Sequence, residues 1–169
     1  MTAVGQVKRA VAAAIKAAGC AAIESYSEEQ LKRYATAVAA VGTKETVIEE
    51  SGAAQYLGEK VDEATQETVS VYGRKTLLTL LIEVYAPRTL GAAGCEKAAE
   101  AVTQALMTAL PEGLKLGSLQ WGKTGWDKTT GMFRLDASAK YAAYFVAEAA
   151  EDETVFTDFV LKGTVKERE

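Results

Sequence analysis

The stretch MFRLDASAKYAAYFVA (Met132–Ala147) decides the fold class. Phe133, Leu135, Ala137, Ala139, Tyr141, Ala143 and Phe145 fall on one side of a two-residue period, and Arg134, Asp136, Ser138 and Lys140 on the other. Successive side chains point to opposite faces of a strand, so this alternation predicts a long, half-buried strand of an antiparallel sheet. Arg74–Tyr85 repeats the pattern, with Leu78, Leu80, Ile82 and Val84 on one side and Lys75, Thr79 and Glu83 on the other.

Just upstream of the deciding stretch lies GSLQWGKT (Gly117–Thr124), which satisfies G-x-x-x-x-G-K-[ST]. A phosphate-binding loop of that form needs a strand before it and a helix directly after it, because the helix N-terminus favours the anion. Lys123 is followed by TGWDKTTG (Thr124–Gly131), which has no apolar period, and Leu119, Gln120 and Trp121 would crowd a polyphosphate. Leu114–Gly122 is therefore expected to be a strand that leads into a turn at Asp127–Gly131.

Two helices flank the sheet segments. Val4, Val7, Val11, Ile15 and Ala18 follow three- and four-residue steps, and Gly19 ends the run. The second helix is expected over Gly91–Leu110, with Cys95, Ala98, Val102, Leu106 and Ala109 on its stripe and Pro87 before it. Between them, Cys20–Ile23 reads as a short strand and Ser27–Arg33 as a surface turn or short helical turn. Ala35–Val41 reads as a covered strand, with Lys44–Glu50 as its partner. The irregular stretch Gly52–Gly73 reads as a long hairpin or mobile arm with its tip near Asp62–Glu67. Glu151–Glu153 marks a turn and Val155–Val165 a last strand. The whole is expected to be one α+β domain over residues 1–169, two helices packed on a mainly antiparallel sheet with a protruding hairpin arm.

Composition narrows the chemistry. The chain has 169 residues, two prolines, no histidine and a net charge of −4. The missing imidazole excludes histidine-based triads, HExxH zinc sites and Cys2His2 fingers. No basic surplus points to nucleic acid, and no apolar run reaches the ~18 residues of a membrane span. Cys20 closes a stretch that looks like a lipoprotein cleavage site, but Lys16 interrupts its weakly apolar region, so an amphipathic helix is the expected structure and the cytoplasm the expected compartment. Cys20 and Cys95 are expected to be small buried thiols. The acidic pairs have neither calcium-loop spacing nor an assignable acid–base geometry, so no catalytic set, metal or cofactor is expected. Tyr56, Leu57, Tyr72 and Trp126 are candidate subunit contacts, since aromatic residues are enriched in interface cores.

The phrases Tyr56-Leu57-Gly58-Glu59, Val71-Tyr72-Gly73-Arg74-Lys75, Val84-Tyr85-Ala86-Pro87, Leu110-Pro111-Glu112-Gly113-Leu114 and Thr130-Gly131-Met132-Phe133, together with the element order, resemble the tail terminator proteins of long-tailed bacteriophages, including prophage-encoded ones. The resemblance implies a non-enzymatic structural protein that forms a ring, expected to be a hexamer. That ring would stop tail-tube polymerisation and join the tail to the head. Its implied partners are copies of itself, the tail tube protein and head connector proteins. DNA would pass through without specific binding, and neither membrane nor small-molecule substrate is implied. The implied location is the virion tail, reached from the host cytoplasm during assembly. Other neck and head-completion connector proteins are also small α+β ring formers, and a nucleotide-binding protein using Gly117–Thr124 is a further alternative.

Overall fold

Residues 3–49, 56–111 and 114–148 are described by the computed structural model. Their order is α1 (Ala3–Ala17), β1 (Ala21–Ile23), α2 (Glu28–Leu31), β2 (Val38–Glu49), β3 (Tyr56–Val61), β4 (Thr68–Ala86), α3 (Gly91–Thr108), β5 (Lys115–Trp121), β6 (Gly125–Asp127) and β7 (Met132–Glu148). The protein is α+β: one seven-stranded sheet runs β1-β2-β4-β7-β5, with β3 also on β4 and β6 also on β7. Among the described residues, β1 and β2 pair in parallel and every other pair is antiparallel. The expected segments Glu151–Glu153 and Val155–Val165 lie outside the described residues.

β4 and β7 form the spine, paired without a break from Val71 opposite Glu148 to Ala86 opposite Phe133. This register stacks the apolar alternations of the two strands on one face, where Leu78, Leu80, Ile82 and Val84 meet Tyr141, Ala139, Ala137 and Leu135. α1 and α3 cover that face with Val7, Val11 and Ile15, and with Cys95, Ala98, Val102 and Leu106. Each such side chain contributes about 1.5–3 kcal/mol when fully buried, so this layer is the main source of stability. Ala18 and Ala109, expected on the stripes, are exposed because the helices have ended or are ending there. Both thiols are buried: Cys95 bonds the Phe133 carbonyl at 3.2 Å and burial raises its pKa to about 11, while burial likewise raises that of Cys20.

The Ala-Ala-Gly-Cys phrase occurs at Ala17–Cys20 and at Ala92–Cys95, and its glycine does different work in each. Gly19 has φ +85° and terminates α1: its N–H donates to the Lys16 carbonyl at 3.0 Å, and the Cys20 N–H to the Ile15 carbonyl at 3.3 Å. Two such bonds satisfy carbonyls that the helix end leaves unpaired. Gly94 lets α3 approach the end of β4. A Cβ there would sit 2.6 Å from the Leu90 Cβ and 3.3 Å from the Ala86 Cβ. Gly94→Ala is expected to cost about 1–3 kcal/mol in a urea denaturation series despite alanine's better helix propensity, because Leu90 at the helix start must shift and Ala86 at the end of β4 must give by a few tenths of an ångström.

Two segments differ from expectation. Ala35–Val41 and Lys44–Glu50 are not partners; they belong to one strand, β2, which pairs with β4 from Val38 opposite Tyr85 to Glu49 opposite Lys75. Gly42 and the switch to polar residues mark the place where the strand leaves the covered core, and a bulge at Thr43–Glu45 absorbs the irregularity. The second difference is on the outer face, expected to be solvated. There α2, capped by Ser27 and anchored by buried Leu31, helps form a second cluster of Ile23, Leu31, Val38, Ala40, Tyr85 and Met132.

Candidate functional site: the hairpin arm

β4 has 19 residues, about 60 Å at ~3.3 Å each, while the 18 residues of α3 span about 27 Å. The helices therefore cover only the Leu78–Ala86 end of the spine. Beyond it, β2 from Glu45 to Glu49, β3, and β4 back from Thr79 continue the sheet; of the arm expected over Gly52–Gly73, residues 56–73 form the β3–β4 hairpin and residues 52–55 lie outside the described residues. β3 lies on the same edge of β4 as β2, from Tyr56 opposite Tyr72 to Val61 opposite Thr68. The turn is built by Asp62, whose carboxylate accepts from the Ala64 N–H at 2.7 Å and whose own N–H donates to the Glu67 carbonyl at 2.9 Å. Gln66 takes φ 61° to close it, a conformation uncommon for a residue with a side chain.

Five of the nine large hydrophobic residues exposed among the described residues lie on this arm: Val47, Ile48, Tyr56, Val61 and Leu77. Val47 and Leu77 are directly opposite each other, and Leu77 faces Ala142 on its other side, which makes an apolar band across three strands on the outer face. The exposed Glu49–Lys75 pair, at 3.7 Å, borders it. Tyr56 and Tyr72 meet edge to face with centroids 5.7 Å apart, and Leu57 sits in the bulge beside them. An apolar cluster on an extension with no helix over it is a surface suited to contact with another protein.

Of the four candidate contact residues, the structure thus brings Tyr56, Leu57 and Tyr72 together. Trp126 does not join them. It packs on Phe133 at 5.1 Å at the other end of the sheet, fourteen positions along β7 from the partner of Tyr72, or about 45 Å. Val47, Ile48 and Leu77 are not among the expected contacts; the sequence signal is Val47-Ile48 as the one apolar step in the otherwise polar run Thr43–Glu49, and Leu77 as an apolar residue out of phase with the buried alternation of Leu78, Leu80, Ile82 and Val84.

The Gly117–Thr124 segment lacks the geometry its pattern suggests. β5 runs to Trp121 and the chain enters β6 at Gly125, so a strand follows Lys123 where a phosphate loop needs a helix. The Gly122 N–H is already used, donating to the Asp136 carbonyl at 2.7 Å, and the Trp121 indole N–H donates to Thr103 at 2.9 Å.

A charged network occupies the outer face near the core. Glu83 and Asp136 are directly opposite each other on β4 and β7, an unfavourable placement for two carboxylates. Arg134 resolves it, reaching Glu83 at 2.7 Å and Asp136 at 2.6 and 2.8 Å, while the Tyr85 hydroxyl donates to Glu83 at 3.2 Å. Burial raises the Glu83 pKa, and Arg134 opposes the rise. The Arg134–Glu83 contact crosses from β7 to β4, while Arg134–Asp136 and Tyr85–Glu83 each lie within one strand, and together they suit a structural clasp. Among the described residues, no three His, Cys, Asp or Glu side chains are grouped to hold a metal ion, and no helix is long and apolar enough to cross a membrane. No protein-family model matches the chain, and no curated protein matches it either.

Proposed function

We propose that this protein is a non-enzymatic structural component of a bacteriophage tail, which forms a ring that terminates the tail tube and joins tail to head. The hairpin arm carries the reading. A long sheet extension with exposed Tyr56, Val47, Ile48 and Leu77 has no use in an isolated subunit and costs solubility, whereas it supplies a docking surface in an assembly. A ring requires a heterologous contact, in which two different patches on one subunit meet head to tail. The arm and the Trp126 end of the sheet are two such patches, at opposite ends of the molecule. The α+β layering, two helices on one face of a mainly antiparallel sheet, agrees with the resemblance in element order. The net charge of −4 suits a ring through which DNA moves without sticking. Another neck or head-completion connector is the nearest alternative, since it would use the same surfaces on different partners.

Light scattering after size exclusion tests the reading. The expected result is a concentration-dependent species of six times the 18.0 kDa chain mass, and capping of purified tail tubes in electron micrographs. A chain that stays monomeric at high concentration and ignores tail tubes would overturn it.

A further inference from the structure

We infer that copies of this chain join by strand addition. The outer edge of β2 and β3 in one copy pairs, antiparallel, with the outer edge of β5 and β6 in the next. Val61 then faces Leu116, Tyr56 faces Trp121 and Ile48 faces Trp126. β2 and β3 share one edge of β4, and β5 and β6 share the far edge of β7. Among the described residues, nothing pairs with the outer side of β3, β5 or β6, or of β2 beyond Ala40. Such edges expose backbone donors and acceptors that another strand can use. β4 and β7 stand between the two edges, so one copy cannot close them on itself.

A shared spacing sets the register. Val61, Tyr56 and Ile48 are opposite Thr68, Tyr72 and Thr76 of β4. Leu116, Trp121 and Trp126 are opposite Tyr141, Ala137 and Phe133 of β7, which pair in turn with Leu78, Ile82 and Ala86 of β4. Measured along β4, each trio steps by four positions, and the second is displaced from the first by ten. Six residues make the first step on each side, Tyr56–Val61 and Leu116–Trp121, because each strand carries one bulge. All six side chains belong to the helix face of the sheet, the face of Leu78 and Ile82. β3 runs against β4 and β5 runs with it. Two copies laid edge to edge with their helix faces on one side therefore bring β3 and β5 together antiparallel.

The contact covers what each edge leaves open. Ile48, Tyr56, Val61 and Trp126 are exposed in the subunit. Trp121 lines a groove of about 440 Å³ with the exposed Met107 and with Thr103, and Tyr56 of the next copy lies against it. Charge agrees with the register: Asp62, next to Val61, falls opposite Lys115, next to Leu116. Residues 56–67 carry four carboxylates and one lysine, whereas residues 115–124 carry two lysines and no carboxylate. Opposite charges across strands favour this pairing, and the like charges of two arm tips disfavour arm-to-arm pairing. Edges, spacing and charge all come from this one chain, so the occupant is a second copy, and the contact is heterologous. The inference rests on the proposed reading for the fact of association; the strand pairing is what it adds.

Glu49 and Gly125, beside Ile48 and Trp126, become neighbours on the outer face across the joint, at a spacing a disulfide can bridge. Cys20 and Cys95 are buried and do not compete. In the full chain, E49C/G125C is expected to oxidise into disulfide-linked ladders of several copies. E49C/Q120C, four positions out of register on the same face, is expected to stay unlinked. No linkage between copies, equal linkage in both variants, or arm-to-arm dimers of E49C alone would overturn the proposal. If the unaltered chain still associates in light scattering, the assembly reading survives that failure; a chain monomeric at every concentration removes both. Hydrogen exchange on the unaltered chain decides the matter independently of any folding defect. The amides of β3 and β5 that face away from β4 and β7 are expected to exchange roughly 100-fold more slowly on association. Protection already present in the dilute monomer, protection of β5 without β3, or none in the assembled state overturns it.

Discussion

Arg134→Leu is expected to cost about 2–3 kcal/mol of folding stability at neutral pH. Removing one partner of a buried ion pair leaves the other charge uncompensated, and here two carboxylates are left facing each other across β4 and β7. The cost is at the lower end for such pairs because the guanidinium is 37% exposed and water screens it. The Glu83 side chain, at 11%, has little access to that water. Glu83 also gives the effect a pH dependence. Its pKa is raised by burial first, with Asp136 and Asp127 adding to the rise and Arg134 and Tyr85 opposing it. A carboxyl whose folded-state pKa lies above its unfolded value binds its proton more tightly in the fold, so stability falls as pH rises from the ordinary carboxylate range through the folded value. Loss of Arg134 lifts the folded value further and steepens that fall. The variant's deficit should therefore be small near pH ~4 and full near pH ~7 in urea titrations. Glu83→Gln, which removes the charge and keeps a hydrogen-bonding group, is expected to stay within about 1 kcal/mol of the parent. An equal Arg134→Leu deficit at both pH values would show that packing, not charge, is what the arginine supplies.

The same network marks the boundary of what the sequence makes legible. Period-two alternation located β4 and β7 and sorted their faces, and the helix stripes placed Val7, Val11, Ile15, Val102 and Leu106 correctly, because one-sided burial imposes a period on the residues that are buried. Alternation says nothing about a second layer. Glu83 and Tyr85 stand on the outer face, yet α2 and the segment around it cover that end of the sheet, so both are buried. That cover comes from residues more than fifty positions away. β2 was read as two pieces for a related reason: its burial changes at Gly42 because the helices end above it, while the backbone ladder continues. Local pattern reports the environment of a strand, and the environment changed where the strand did not. The arm was legible as a hairpin through its glycines and its acidic turn. Its apolar band was not, since Val47 and Leu77 become neighbours only through the β2–β4 register. The Gly117–Thr124 pattern was readable in the right direction because the residues after Lys123 cannot sustain a helix.

If the proposed function holds, the largest effect on assembly is expected from charges placed on the two apolar patches of the arm, the Val47–Leu77 band and the Tyr56–Tyr72 pair on the opposite face of β4. Tyr56→Asp combined with Leu77→Asp should abolish the ring at concentrations where the parent is fully assembled. Truncating a buried anchor at an interface costs about 2–4 kcal/mol, a factor of roughly 30 to 1,000 per contact, and a carboxylate adds desolvation to the lost packing. Both side chains are exposed in the subunit, 42% and 37%, so the fold should lose little. The Tyr56–Tyr72 edge contact accounts for about 0.5–1.5 kcal/mol of that loss. Separation of the two readouts is the point: sedimentation should report monomers while thermal unfolding of the dilute protein moves by only a few degrees. Trp126 supplies the complementary arm of the experiment. In a head-to-tail contact the arm of one subunit meets a different patch on the next, and the far end of the sheet is where that patch would lie. Trp126→Asp should then weaken the ring too, and mixing it with the arm variant should restore a single contact per pair, because one partner keeps an intact arm and the other an intact Trp126. Heterodimers in the mixture, and none in either variant alone, are the expected outcome. Rings that persist in the double arm variant would mean that the band serves another partner and that subunits join elsewhere on the sheet.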